Sequence, residues 1–164
     1  MTDGGEPECY DEALQDENSN KWKLAMKDKM DSLLGNQTWE LTELPEGNKA
    51  LHNKWVYRIK NEHDASKCYK ARLVVKWFQQ KKGIDYSEIF SSNVKMSTIR
   101  LVLGMVAAKN LHLEQLDVKT TFLHGDLEED IYMNRPKGFI VQGQESLVCK
   151  LRKSLYGLKQ ALRQ

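Results

Sequence analysis

The sequence predicts an α+β fold, because helix, strands, helix, strand, loop, strands and a last helix follow one another in that order. Two patterns carry the prediction. Trp22, Met26, Met30 and Leu33/Leu34 recur at helical spacing. Residues 54–60 and 68–76 instead alternate apolar and cationic side chains at the two-residue period of a half-buried strand.

The elements follow in chain order. Residues 1–18 are acidic and polar and are expected to form a poorly ordered leader, with the folded domain over 19–164. Asn18, Ser19 or Asn20 can cap the first helix, and Gly35 stops it. A short strand, Thr38–Leu41, precedes a turn at Pro45-Glu46-Gly47. In the next strand Trp55, Tyr57 and Ile59 face one way, and Lys54, Arg58 and Lys60 the other. After a polar turn, Tyr69, Ala71, Leu73 and Val75 share one face, and Lys70, Arg72 and Lys76 the other. Paired as a hairpin, the two strands would gather Arg58, Lys60, Lys70, Arg72 and Lys76 into one positive surface suited to phosphate. A merely solvated face is the competing reading, weakened because almost no acids are interleaved. Ser97 can cap a helix to about Lys109 that is apolar nearly all round, which predicts burial on most sides. Leu111–Val118 reads as a strand, followed by a loop at His124-Gly125-Asp126. Ile131–Met133 and Leu147–Leu151 read as strands around the Pro136-Lys137-Gly138 turn, and Ser154–Gln164 as the start of a helix.

Composition narrows the function classes. At 40% hydrophobic and 29% charged, 164 residues make about one globular domain. The longest apolar run, Leu101 to Ala108, is far below the roughly 18 residues a membrane span requires. The amino terminus resembles neither a secretory signal nor a transit peptide, so an intracellular site, cytoplasmic or nuclear, is expected. Cys9, Cys68 and Cys149 stand far apart, which argues against a disulfide framework or a zinc site and for a reducing compartment. Net charge is only +2, yet the first 20 residues hold seven acids and no Lys or Arg. Residues 21–164 therefore carry 25 basic against 16 acidic side chains, a net +9. A basic body suits a polyanionic partner such as nucleic acid; a well-solvated surface explains the same count equally well.

Ordered blocks identify a family. Asn36-Gln37-Thr38-Trp39-Glu40-Leu41 with Leu44-Pro45-Glu46-Gly47 is followed by Lys54-Trp55-Val56-Tyr57-Arg58-Ile59-Lys60 and Lys70-Ala71-Arg72-Leu73-Val74. Then come Gly83-Ile84-Asp85-Tyr86, Ser97-Thr98-Ile99-Arg100 and Gln115-Leu116-Asp117-Val118-Lys119-Thr120-Thr121-Phe122-Leu123. Ile131-Tyr132-Met133 and Ser154-Leu155-Tyr156-Gly157-Leu158-Lys159-Gln160 complete the series. In this order and spacing, nearly the whole chain resembles the copia-type retrotransposon reverse transcriptase, an RNA-directed DNA polymerase domain of a Pol polyprotein.

The resemblance implies a partial right-hand polymerase: fingers over about 36–96 and the start of the palm over about 97–164, with the thumb and the rest of the palm absent. It implies an RNA template, a DNA primer, deoxynucleotides, Mg²⁺, and a ribonuclease H-like region elsewhere in the polyprotein. The reaction is nucleotidyl transfer with two metal ions held by clustered carboxylates. Asp117 matches the first catalytic, metal-holding Asp, and Val118 would lend its carbonyl to one metal. The amides of Thr120 and Thr121 would cradle the triphosphate, Phe122 would abut the sugar, and Arg72, helped by Lys70 or Lys60, would neutralise the phosphates. Phe122 as an ordinary core ring remains open. Gly157, Leu158, Lys159 and Gln160 would lie under the templating base pair. The later Tyr-x-Asp-Asp turn has no counterpart before Gln164, so the chain is expected to be inactive alone.

Departures accompany the match. Lys76-Trp77-Phe78 stands where the family has Lys-Gly-Phe, and Phe90-Ser91-Ser92-Asn93 where it has Phe-Ser-Pro-Val. Ala161-Leu162-Arg163 lacks the Pro expected before Arg, and Thr121 replaces an Ala. If the lost Gly held a positive φ, Trp77 would strain it by about 1–2 kcal/mol. These losses suggest relaxed selection and keep a second reading open, a non-catalytic basic nucleic-acid-binding remnant.

Overall fold

The computed structural model describes residues 5–61, 66–90, 94–114, 116, 123 and 125–163. Helices α1 (Tyr10–Gln15) and α2 (Ser19–Gly35) precede strand β1 (Trp39–Thr42) and the strands β2 (Asn53–Asn61) and β3 (Lys67–Val75). Helix α3 (Met96–Ala108) and strands β4 (Asp126–Met133) and β5 (Val148–Lys153) follow. The strands form two antiparallel sheets, one ordered β1-β5-β4 and one the β2-β3 hairpin. Helices beside antiparallel sheets make the α+β class.

Helix α2 buries the stripe read from its spacing: Trp22, Ala25, Met26, Met30 and Leu33 are covered, while Leu34 is turned out. Its aromatic anchor is Trp22, edge-on to Tyr57 at 5.2 Å and to Tyr69 at 4.7 Å. Each such pair contributes about 0.5–1.5 kcal/mol beyond its buried area. The Tyr57 hydroxyl donates to Met26 Sδ at 3.3 Å, and burial holds this phenol well above its ordinary range. The hairpin thus presents its apolar face, with Trp55, Ala71, Leu73 and Val75, to one continuous core shared with α2, β4 and β5.

A tight joint ends α2. The Gln37 N–H donates to Leu34 O at 2.9 Å and the Thr38 N–H to Leu33 O at 3.1 Å, with Gln37 at φ 51. This is the Schellman arrangement, in which a left-handed residue closes the helix. Thr38, 1% exposed, also donates its hydroxyl to Leu33 O at 2.8 Å. Its carbonyl accepts the N–H groups of Arg152 and Lys153 at 2.8 and 3.1 Å, so the helix end is bolted to β5. The hairpin meets the three-stranded sheet through Leu51, whose N–H donates to Tyr132 O at 2.7 Å and whose carbonyl accepts the Asn134 N–H at 2.9 Å. Trp55 Nε1 reaches Lys137 O at 3.2 Å and its ring lies 5.9 Å from that of Phe139.

Five expectations are corrected. The leader is not loose from residue 5 onward: Tyr10–Gln15 is helical, Ala13 is fully buried, and Tyr10 packs on the core. Its acids find partners, since Glu6 accepts the Ile59 N–H at 2.7 Å and Asp11 pairs with Lys137 at 2.6 Å. Helix α3 forms where expected, but it buries no residue; among the described residues no element lies over Ile99, Leu101, Val102, Leu103 or Met105. The strand expected over Leu111–Val118 does not form over 111–114; Leu116 is 85% exposed, and Asp117 and Val118 lie outside the described residues. The last helix is replaced by a turn at Gly157, φ 91, and a 3-10 turn over Lys159–Leu162, because a left-handed residue breaks the helical path. Strand β4 also starts at Asp126, within the expected loop, with a bulge before Ile131.

Gln37 carries a side chain at a position where Gly is the residue without steric penalty. Gln37→Gly is expected to raise stability by about 0.5–1 kcal/mol, read as a higher urea midpoint at unchanged slope. An unchanged or lower midpoint would mean that the left-handed conformation costs this chain nothing.

Candidate nucleic-acid interface

Register decides which cations share a face. Arg58 pairs with Lys70, Val56 with Arg72, and Lys60 with Cys68. Arg58, Lys60, Lys70 and Arg72 therefore stand on one side of the hairpin, and Trp55, Tyr57, Tyr69, Ala71 and Leu73 on the other. Lys54 belongs to the same cationic side, whereas Lys76 lies just past the end of β3. The face is partly engaged: the Glu6 carboxylate lies 3.9 Å from Arg58 Nε.

Arg72 borders an open cavity of about 360 Å³ whose wall includes Asp28, Lys29, Ser32, Lys70 and Tyr156. Lys29 was not among the residues singled out from the sequence. Burial, and then the Arg72 guanidinium, hold its amine below the ordinary lysine range. The signal was its place at the edge of the α2 stripe, three residues after Met26 and one before Met30. A half-buried lysine facing an arginine gains most from an anion between them.

The Ser154–Gln160 block is fastened to the hairpin. The Val75 N–H donates to Tyr156 O at 2.8 Å, and Gly157 lies against the Val75 backbone with no room for a Cβ. Gln160, fully buried, accepts from Gln80 Nε2 at 3.0 Å and donates to Asp85 O at 2.9 Å. The Gln80 carbonyl in turn accepts the Lys159 N–H at 2.8 Å. Lys159 Nζ donates to the Tyr86 hydroxyl at 2.9 Å and lies 4.6 Å above the Tyr86 ring. Two of the four block residues singled out, Lys159 and Gln160, thus meet the loop after β3, and Gly157 meets β3 itself. The partner Gln80 escaped the sequence reading because nothing in the run Gln79-Gln80-Lys81-Lys82 marks one glutamine as buried.

Asp117, Val118, Thr120, Thr121 and Phe122 lie outside the described residues. Among the described residues no group of three or more His, Cys, Asp or Glu side chains gathers to hold a metal ion. A hard cation such as Mg²⁺ needs several oxygen ligands, so these residues alone do not fit it. Two of the four acids of β4 are engaged separately: Asp130 with Lys150 at 2.8 Å, and Glu129 within 3.4 Å of Gln160 Nε2. Trp77, which would be strained at a left-handed position, does not occupy one; it opens a 3-10 turn, Trp77–Gln79. The three thiols are free, with Cys9 exposed and Cys149 buried, and burial pushes Cys149 up to about 12. No described helix is long and apolar enough to cross a membrane.

Gly157 combines φ 91 with backbone contact, so Gly157→Ala must both strain the turn and part it from β3. A loss of at least about 2 kcal/mol is expected in urea unfolding. A loss below about 0.5 kcal/mol would show that the block is not seated on Val75.

The family model for reverse transcriptase (RNA-dependent DNA polymerase) matches residues 36–164. The chain is 54% identical to the retrovirus-related Pol polyprotein from transposon TNT 1-94 of Nicotiana tabacum, over 100% of the chain and 12% of that protein. It is 42% and 39% identical to the Pol polyproteins from transposons RE1 and RE2 of Arabidopsis thaliana, each over 96% of the chain and 11% of the relative. The chain thus spans about an eighth or less of the length of these relatives. No solved structure matches it. Both the blocks and the relatives place the chain in the reverse transcriptase (RNA-dependent DNA polymerase) family, among the copia-type enzymes of retrotransposon Pol polyproteins.

Proposed function

We propose that the chain supplies the fingers and the start of the palm of an RNA-directed DNA polymerase that copies an RNA template onto a DNA primer. The observation that carries this reading is the joint at Val75, Gly157 and Gln160. It holds the hairpin bearing Arg72 and the block bearing Lys159 and Gln160 in one fixed arrangement. The resemblance assigns Arg72 and Lys70 to the nucleotide phosphates, and Lys159 and Gln160 to the floor of the base pair. Residues with those two tasks must stand in a constant relation, because phosphoryl chemistry depends on positioning.

In this reading the Arg72–Lys29 cavity adds a second cation beside the phosphate-binding arginine. Asp117 and Val118 would hold the metals, the Thr120 and Thr121 amides would receive the triphosphate, and Phe122 would guard the sugar. Held there by the complete set of carboxylates, Mg²⁺ would supply charge stabilisation for the attacking and leaving oxygens. In this reading residues 1–164 taken alone, which hold Asp117 and no Tyr-x-Asp-Asp, do not synthesise DNA, and the cationic hairpin face binds nucleic acid. The remaining palm, the thumb and the ribonuclease H-like region of the polyprotein are its partners.

A filter-binding and primer-extension series on the 164-residue protein tests this. RNA binding is expected with a log–log salt slope of roughly −2 to −5, as three to five cations neutralise phosphates, and without nucleotide incorporation. In a chain that carries the rest of the palm, Asp117→Asn is expected to lower extension by about 10³-fold. A flat salt response removes the cationic face from the interface. Incorporation by the short chain defeats its expected inactivity, and near-normal extension by the Asn variant removes Asp117 from its role.

A further inference from the structure

Immediately beyond β3 the chain displays two large rings to solvent: Trp77 is 56% and Phe78 66% exposed, set edge to face at 6.5 Å. Exposed aromatic rings in a folded domain call for a reason. The turn that carries them is not loose. Gln80, one residue past it, is 5% exposed and locked to Gln160, and the Gln79 side chain accepts the His52 N–H at 2.8 Å. The Gln80 N–H closes the turn on Trp77 O at 3.0 Å.

Cations surround them. Lys159 Nζ lies 5.7 Å from the Trp77 ring while held by the Tyr86 hydroxyl. Lys76 precedes Trp77, and Lys81 and Lys82, both exposed, follow in the same segment. A rigid exposed indole with ammonium groups on its flanks fits a flat, π-faced group carried on a polyanion. That description matches an unpaired nucleobase in a single strand.

Resting on the polymerase reading above, we infer that Trp77, flanked by Phe78 and Lys159, is a stacking platform for an unpaired base of single-stranded RNA. Its phosphates lie toward Lys76, Lys81 and Lys82. The strand that an RNA-directed polymerase meets unpaired is its template, and the platform adjoins the Lys159–Gln160 block. Stacking of this kind tolerates any base, since every base has a π-face.

The test titrates the full 164-residue chain with a ten-nucleotide oligouridylate and with an abasic ribose-phosphate oligomer of the same length. Trp77→Ala is expected to weaken oligouridylate binding by about five-fold or more, at unchanged salt slope, and to leave abasic binding as it was. Oligouridylate is also expected to quench tryptophan emission of the native chain, and Trp77→Phe, which keeps a ring, to remove that quench while holding affinity within about two-fold. Equal loss on both oligomers, no loss on either, or quenching that survives in Trp77→Phe overturns the platform. Salt-dependent binding that ignores the bases overturns the platform and leaves the polymerase reading standing. Failure of the native chain to bind either oligomer defeats both.

Discussion

The arrangement depends on one buried amide pair. Gln80 and Gln160 stand 80 residues apart in sequence and share a hydrogen bond of 3.0 Å in the interior. A buried amide that lacks partners costs about 1–3 kcal/mol, so each must be answered or the packing around it fails. Here the answers come from the loops: the Lys159 N–H fills the Gln80 carbonyl, and the Asp85 carbonyl takes the Gln160 amide. Those bonds also settle which way each amide points. Because the pair ties the segment after β3 to the last block, the rings at Trp77, the loop over 81–86 and Lys159 keep fixed relations.

The hydrophobic core makes that joint possible without supplying it. Trp22 and its two tyrosines seat α2 on the hairpin, and Leu51 and Trp55 seat the hairpin on the three-stranded sheet. Area burial of this kind is non-directional and would tolerate small slips of one layer on another. The directional contacts at Thr38, Gly157 and the glutamine pair remove that freedom. Because burial of a charge is costly, the hairpin's cations are left on its outer face, while Lys29, half-buried beside Arg72, is held below the ordinary lysine range.

What the sequence revealed was local. Alternation over residues 54–60 and 68–75 depends on each strand alone, so the hairpin, its cationic side and the α2 stripe were legible. What it concealed was long-range. Nothing near Ala13 or Tyr10 announces a docking face, so an acidic leader looked loose although it packs on the core. An apolar α3 implied a covering that the described residues do not provide. Gly157 sits in a stretch with helical spacing, and only the approach of Val75 explains its left-handed turn. The candidate site divides in the same way: Arg72, Lys70, Lys159 and Gln160 have positions, while Asp117 and the residues after it rest on resemblance alone. Gln80, Lys29 and Trp77 acquire meaning only from their neighbours.

A double-mutant cycle on Gln80→Ala and Gln160→Ala, followed by urea unfolding, addresses the central claim directly. If the amide pair is the joint, the two substitutions couple by about 1–3 kcal/mol, because the second removes a partner already orphaned by the first. Losses that add to within about 0.5 kcal/mol would contradict it, and would leave the hairpin and the last block joined through Val75, Tyr156 and Gly157 instead.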